Sequence, residues 1–130
     1  MFTICSLYGG RQVCYAEINN MEEYDMATII HNKLVRDHIP EIIEECGRKC
    51  EWEVLSDEEY LRRLDEKLQE ELDEYMEDKS LEELADLLEV LMAVAEARGS
   101  FAEVERIRQM KREKRGGFEK RILLKSADAD

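Results

Sequence analysis

Helix start and stop signals recur along the second half of the chain and set its fold class. Ser56 and Ser80 are each followed three residues later by a glutamate, which is the capping-box pattern that opens a helix. Gly99 is typical of a helix end, Ser100 is suited to begin another helix, and Gly116-Gly117 breaks it. The predicted helices run from Ser56 to about Asp78, from Ser80 to Gly99 and from Ser100 to Arg115.

A shorter helix and three strand-like segments complete the pattern. Pro40 suits the first turn of a helix that continues over Glu41–Lys49. Because almost nothing separates the two central helices, we expect them to form an antiparallel hairpin. The strand-like segments are the first 18 residues, Glu51–Leu55 and Phe118–Leu124. The predicted fold is mainly α, an antiparallel helical bundle of about four helices with a few short peripheral β-strands.

Length and composition predict one soluble domain. The chain has 130 residues, and we expect residues 1–25 to form an N-terminal extension or accessory hairpin and residues 26–130 to form the helical domain. No run approaches ~18 consecutive apolar residues and no signal-peptide pattern is found, so we expect no membrane partner. The four cysteines lack a CxxC spacing and suit free thiols, which predicts a cytoplasmic protein.

The charges are unevenly distributed along the chain. Its net charge of −13 argues against nucleic acid as a partner, because nucleic-acid binding needs a basic surface. Residues 65–89 contain twelve acids and two bases, whereas residues 106–125 contain nine bases and two acids. This distribution indicates either a cation site beside an anion site or two solvated helix faces that attract each other.

Three carboxylates lie in or beside the apolar stripe of the second helix. At 100° per residue, Glu71 falls inside the stripe, between Leu64 and Tyr75, while Glu74 and Glu70 lie beside it. Like charges at this spacing oppose a helix by roughly a few tenths of a kcal/mol each, and burying one unpaired costs much more. A divalent metal ion would compensate this cost.

The third helix supplies two more carboxylates. Glu83 and Asp86 lie one turn apart on a strip that continues with small residues and is suited to packing against another helix; these are Val90, Ala93 and Ala97. The main apolar face of the same helix contains Leu81, Leu84, Leu87, Leu88, Leu91 and Ala95. Glu82, Glu89 and Glu96 are expected to face solvent.

Oxygen ligands without histidine or cysteine favour Mg²⁺, with Mn²⁺ as the alternative. The predicted ligands are Glu70, Glu71, Glu74, Glu83 and Asp86. Five carboxylates exceed the need of one ion, so two or more ions that bridge a phosphate chain are expected. Such ions would activate a water molecule for attack on phosphorus, which gives these five residues a catalytic role.

Three motifs in order resemble one enzyme family. Glu70-Glu71-x-x-Glu74 followed by Glu83-x-x-Asp86 is similar to the metal motif of the MazG-like all-α nucleoside triphosphate pyrophosphohydrolases. The segment from Asn32 to Pro40 resembles the opening of the house-cleaning branch of that superfamily, although His38 stands where the pattern more often has a lysine. Arg115-Gly116-Gly117-Phe118 resembles its closing motif. The resemblance covers about residues 30–125.

The resemblance implies Mg²⁺-dependent hydrolysis between the α and β phosphates of a nucleoside triphosphate, noncanonical nucleotides included. The products would be a nucleoside monophosphate and pyrophosphate, and the five carboxylates would hold the metal. Candidate phosphate contacts are Lys33, Arg36, Lys111, Lys114 and Arg115, because Lys and Arg supply charge and forked donors. Their alternative role is ordinary salt bridging to the acidic hairpin.

Two rival functions and one assembly state are also predicted. The first rival is a phosphoribosyl-ATP pyrophosphohydrolase of histidine biosynthesis, with the same chemistry on a related fold. The second is a non-enzymatic acidic helical interaction module, which gives no reason for Glu71 to lie in an apolar stripe. The apolar surface of the third helix exceeds what the other helices can cover, so we expect a homodimer or higher homo-oligomer.

Overall fold

The computed structural model describes residues 3–5, 12–14 and 28–129, and this part of the chain is mainly helical. Its four helices are α1 Ile39–Glu45, α2 Asp57–Glu77, α3 Leu81–Arg98 and α4 Phe101–Arg115. Two short strands, β1 Thr3–Cys5 and β2 Gln12–Cys14, pair antiparallel with Ile4 opposite Val13. The mainly α fold class and the helix number are therefore confirmed.

Serine side chains begin the three long helices. The hydroxyl oxygens of Ser56, Ser80 and Ser100 accept hydrogen bonds from the backbone N–H three residues on, at 3.3, 3.2 and 3.1 Å. Each bond satisfies one of the amide donors that the first turn of a helix leaves without a partner. At the other end of α4, Gly116 has a φ of 83°, a left-handed conformation that favours glycine. These local signals explain why the predicted bounds of the three helices are right.

Helix α1 is shorter than the predicted helix, which ran to Lys49. It ends at Glu45, and Gly47 follows with a left-handed φ of 77°. The N–H of Gly47 donates to the carbonyl of Glu44 at 2.9 Å, and the N–H of Arg48 donates to that of Ile43 at 3.3 Å. This pair of bonds is the Schellman motif, which terminates a helix at a left-handed glycine.

Helices α2 and α3 form the predicted antiparallel hairpin. Arg98, at the end of α3, pairs with Asp65 in the first half of α2 at 2.7 Å, so the chains of the two helices run in opposite directions. Helix α3 turns its small-residue strip inward, since Val90, Ala93 and Ala97 are only partly exposed whereas most of its leucines are exposed. Helix α4 packs against α3.

The predicted strands at Glu51–Leu55 and Phe118–Leu124 are wrong. Both segments are irregular, and most of their apolar side chains are exposed, with 86% of Val54 and 97% of Phe118 accessible. An alternating apolar pattern needs a neighbouring strand to supply hydrogen bonds. Neither segment has such a neighbour among the described residues.

The apolar core of the described residues is small. Ile39, Leu64 and Ala95 are its buried apolar side chains. Most leucines of the main apolar face of α3 are exposed instead, including 56% of Leu88 and 49% of Leu91. No helix in the described part is long and apolar enough to cross a membrane.

Candidate metal centre

The stripe of α2 that faces α3 carries the first carboxylate of the site. Glu71 lies two turns after Leu64, and the two residues are only 4% and 3% exposed. The helical period therefore places Glu71 where an apolar residue would otherwise pack against α3. Its predicted position in the stripe is confirmed by this burial.

Helix α3 brings two further carboxylates to the same place. Glu71, Glu83 and Asp86 each offer an oxygen atom, and these atoms all lie within 4.8 Å of one another. Glu83 is 4% exposed, and the hydrogen bond from its backbone N–H to Ser80 Oγ fixes the first turn that carries it. The hairpin thus joins the two halves of the predicted metal motif, one on α2 and one on α3. We call the group of Glu71, Glu83 and Asp86 the carboxylate cluster.

Several oxygen atoms around the cluster have no partner in the described structure. Glu71 Oε2, Glu74 Oε2 and Glu83 Oε2 are buried and accept no hydrogen bond. A buried carboxylate oxygen without a partner costs free energy, because it loses its water and gains nothing in return. Hard oxygen donors that converge in this way fit a divalent cation such as Mg²⁺.

Burial and repulsion by neighbouring carboxylates raise the proton affinity of Glu71 and Glu83. Desolvation raises the pKa of Glu71 to about 7, Lys67 opposes the shift, and the charges of Glu74 and Asp86 add to it. The pKa of Glu83 is also raised, first by burial and then by Glu74 and Asp86. Glu71 and Glu83 therefore resist ionisation until a cation binds beside them.

Glu70 is placed differently from the other predicted ligands. Its Oε1 pairs with Lys33 Nζ at 2.7 Å and its Oε2 with Lys67 Nζ at 3.2 Å. Partial burial alone would raise the pKa of Glu70, but the two lysines lower it. Glu70 lies outside the group of three converging oxygens, so the structure brings Glu71, Glu83 and Asp86 together and directs Glu70 to the lysines.

Lys67 belongs to the site although it is not among the predicted ligands or phosphate contacts. It is 9% exposed, and its Nζ lies 3.4 Å from Glu71 Oε1 as well as close to Glu70. A lysine one turn before Glu71 in the stripe was the available signal, because a buried lysine needs a carboxylate partner. Lys67 supplies a fixed positive charge to one side of the cluster.

The predicted phosphate contacts divide into two groups. Lys33 and Arg36 reach the site, since Arg36 Nη2 donates to Asp86 Oδ1 at 2.8 Å and Lys33 pairs with Glu70. Lys111, Lys114 and Arg115 are exposed in the last turns of α4. Within the described residues, these three form no ion pair with the cluster.

A cavity of about 250 Å³ lies beside the carboxylates. Arg63 helps to form its wall and donates through Nη1 to the carbonyl of Asn32 at 2.8 Å, which holds the segment ahead of α1 against α2. Asn32 has a left-handed φ of 46°. The lining residues are His31, Asn32, Lys33, Leu34, Arg63, Glu66, Lys67 and Glu70. The cavity therefore combines cationic groups with a wall formed by one of the predicted metal ligands.

Glu82, Glu89 and Glu96 are exposed, as predicted. The acidic run of α3 thus separates into carboxylates that face α2 and carboxylates that face solvent.

No family model matches the chain, and no curated protein and no solved structure shows significant similarity to it.

Proposed function

We propose that the protein is a Mg²⁺-dependent nucleoside triphosphate pyrophosphohydrolase that releases a nucleoside monophosphate and pyrophosphate. The observation that carries the proposal is the cluster of Glu71, Glu83 and Asp86, in which both glutamates are buried and each leaves one oxygen atom without a partner in the described structure. A non-enzymatic acidic helix has no need to bury carboxylates at such cost. The assignment of the cleaved bond, between the α and β phosphates, rests on the motif resemblance.

The carboxylate cluster would hold the metal, with Glu74 as a further oxygen donor at its edge. Bound Mg²⁺ supplies positive charge to phosphate oxygens and lowers the pKa of coordinated water. The chain contributes fixed ligand positions, because the hairpin holds the two half-motifs together before any ion binds. Burial of Glu71 and Glu83 limits the water that competes for the same ligands.

Two accessible cationic side chains pair with predicted metal ligands, Lys33 with Glu70 and Arg36 with Asp86. Lys33 is one-third exposed and Arg36 about half exposed, so both are accessible to a triphosphate. A guanidinium group binds phosphate through two parallel N–H donors, and an ammonium group binds it as a point charge. These two residues would orient the phosphate chain over the metal.

The free cysteines Cys46 and Cys50 support a reducing compartment, and we infer that the protein acts in the cytoplasm.

A nucleotide panel tests the proposal. Canonical and noncanonical nucleoside triphosphates and phosphoribosyl-ATP are incubated with and without Mg²⁺, and pyrophosphate release is measured. We expect Mg²⁺-dependent release that Glu71→Gln abolishes and Glu82→Gln leaves unchanged, because Glu82 faces solvent on the same helix turn as Glu83. Release from phosphoribosyl-ATP alone would favour the histidine-biosynthesis rival. No release from any nucleotide at millimolar Mg²⁺ would contradict the proposal and favour the interaction module.

A further inference from the structure

The segment ahead of α1 is attached to both helices of the hairpin by cations. Residues 28–36 form no helix or strand. Within this segment, Lys33 pairs with Glu70 on α2 at 2.7 Å, and Arg36 pairs with Asp86 on α3 at 2.8 Å. The two ion pairs place one positive charge on each side of the carboxylate cluster.

Arg36 and a metal ion need the same carboxylate. Asp86 is one of the three residues whose oxygen atoms converge in the cluster, and Arg36 already donates to one of its oxygens. A cation that enters the cluster must therefore share Asp86 with the guanidinium group or displace it. The Arg36 side chain is 47% exposed, and an ion pair so accessible to water contributes little to folding stability. Breaking this pair therefore costs little folding free energy.

We propose that Lys33 and Arg36 are exchangeable counter-ions. They neutralise Glu70 and Asp86 while the cluster lacks a metal, and they move to phosphate oxygens when Mg²⁺ takes the carboxylates. The inference rests on the proposed function and adds a regulatory property to it. Metal and polyphosphate bind cooperatively, because the metal releases the cations that bind phosphate and phosphate removes the cations that compete with the metal.

Calorimetric titration of Mg²⁺ without any nucleotide tests the first half of the exchange. Arg36→Gln keeps the size and polarity of the side chain but removes the competing charge. We expect this variant to bind Mg²⁺ roughly fivefold or more tightly than the parent. Lys33→Gln changes Mg²⁺ affinity in the same direction by a smaller factor, because Glu70 lies outside the three converging ligands, and it provides a second reading if Arg36→Gln melts early.

Inorganic pyrophosphate tests the second half, because it carries the phosphate charge without a base. In the parent, saturating pyrophosphate should tighten Mg²⁺ binding, and in Arg36→Gln this coupling should fall roughly fivefold or more. The matched control is Arg98→Gln, which breaks the Arg98–Asp65 pair at the other end of the same hairpin. It should leave the Mg²⁺ affinity and the coupling unchanged.

The outcomes separate this inference from the function on which it rests. A parent that binds Mg²⁺, together with an Arg36→Gln variant that binds it no more tightly, overturns the exchange and leaves the metal centre in place. A parent that binds no Mg²⁺ overturns both. If Arg36→Gln and Arg98→Gln raise the Mg²⁺ affinity by the same factor, the exchange is overturned too, since the effect would reflect net charge alone.

Discussion

Glu71 is the residue at which stability and function are most directly opposed. It occupies a core position of α2 as a carboxylate, with one oxygen near Lys67 and the other without a partner. A charge held in this way destabilises the metal-free hairpin and becomes favourable only when a cation binds. Substitutions at this position therefore affect stability and metal binding in opposite directions.

The first prediction concerns Glu71→Gln. Without metal, the variant should be as stable as the parent or more stable, because a cluster of repelling carboxylates has lost one charge. With Mg²⁺, the parent should gain melting temperature and the variant should gain little, since a ligand stabilises only the state that binds it. Thermal unfolding in EDTA and in millimolar Mg²⁺ measures both effects. Glu82→Gln is the matched control, and similar Mg²⁺ responses in the two variants would refute the assignment of Glu71 as a ligand.

The second prediction concerns pH. The pKa of Glu71 is about 7 in the folded chain and near its ordinary 4.5 in the unfolded chain, so the folded state binds the extra proton between these values. This contribution to stability is complete below about pH 4.5 and is lost as the pH rises through 7. In EDTA, the parent should lose on the order of 2–3 kcal/mol relative to Glu71→Gln between pH 5 and 8. Urea unfolding at several pH values measures the difference, and parallel pH profiles would contradict it.

At the scale of the helix, the N-cap of α3 has two tasks. The bond from Glu83 N–H to Ser80 Oγ stabilises the helix start and also fixes the turn that carries a cluster carboxylate. Ser100 makes the equivalent bond for α4, where no cluster residue follows. The two caps therefore provide a comparison within one chain.

The third prediction uses this pair of caps. Ser80→Ala and Ser100→Ala should each lower the free energy of unfolding by about 1 kcal/mol. Only Ser80→Ala should also weaken Mg²⁺ binding, because Glu83 loses part of its positioning. Urea unfolding gives the stabilities and calorimetry gives the affinities. An equal loss of Mg²⁺ affinity in both variants would indicate a general effect of helix stability instead.

The helices also show which features the sequence can predict and which depend on contacts between residues that are distant in the chain. Helix starts at Ser56, Ser80 and Ser100 depend on bonds that span three residues, so local patterns are sufficient to find them. The burial of Glu71 follows from the helical period of α2. The partner of Glu70 does not, because Lys33 lies 37 residues away in the chain.

The two wrong strands have the same origin. A strand is stabilised by neighbouring strands, and the segments around Val54 and Phe118 have none in the described structure. The end of α1 has a different reason, because its signal is local. Pro40 and the apolar spacing favour a longer helix, but the left-handed turn at Gly47 ends it.

At the scale of the molecule, α3 and α4 leave their large apolar side chains accessible. Between about 38% and 83% of each of these side chains is exposed; the residues are Leu81, Leu84, Leu88, Leu91, Met92, Phe101, Val104, Ile107 and Met110. A group of exposed apolar side chains of this kind is typical of surfaces that bind another protein chain. A second copy of the chain would cover the leucines of α3 while the small-residue strip continues to face α2.

The fourth prediction is therefore a homodimer formed through the leucine face of α3. Light scattering at micromolar concentration should give twice the chain mass of 15.3 kDa. Leu88→Glu should shift the protein toward the single-chain mass, because it places a charge in the apolar interface. Val54→Glu substitutes an even more accessible apolar residue outside α3 and α4 and should leave the mass unchanged. A parent that scatters as a single chain would rule out this assembly.

The short connection between α2 and α3 has a kinetic consequence. Only three residues, Asp78, Lys79 and Ser80, separate the two helices, so the carboxylates meet as soon as the hairpin closes. Local closure is rapid for the chain, but here it brings like charges together at the moment of folding. Mg²⁺ should then accelerate refolding more than it slows unfolding, whereas an ion that binds only after folding would mainly slow unfolding. Stopped-flow measurements of both rates, with and without Mg²⁺, distinguish the two orders of events.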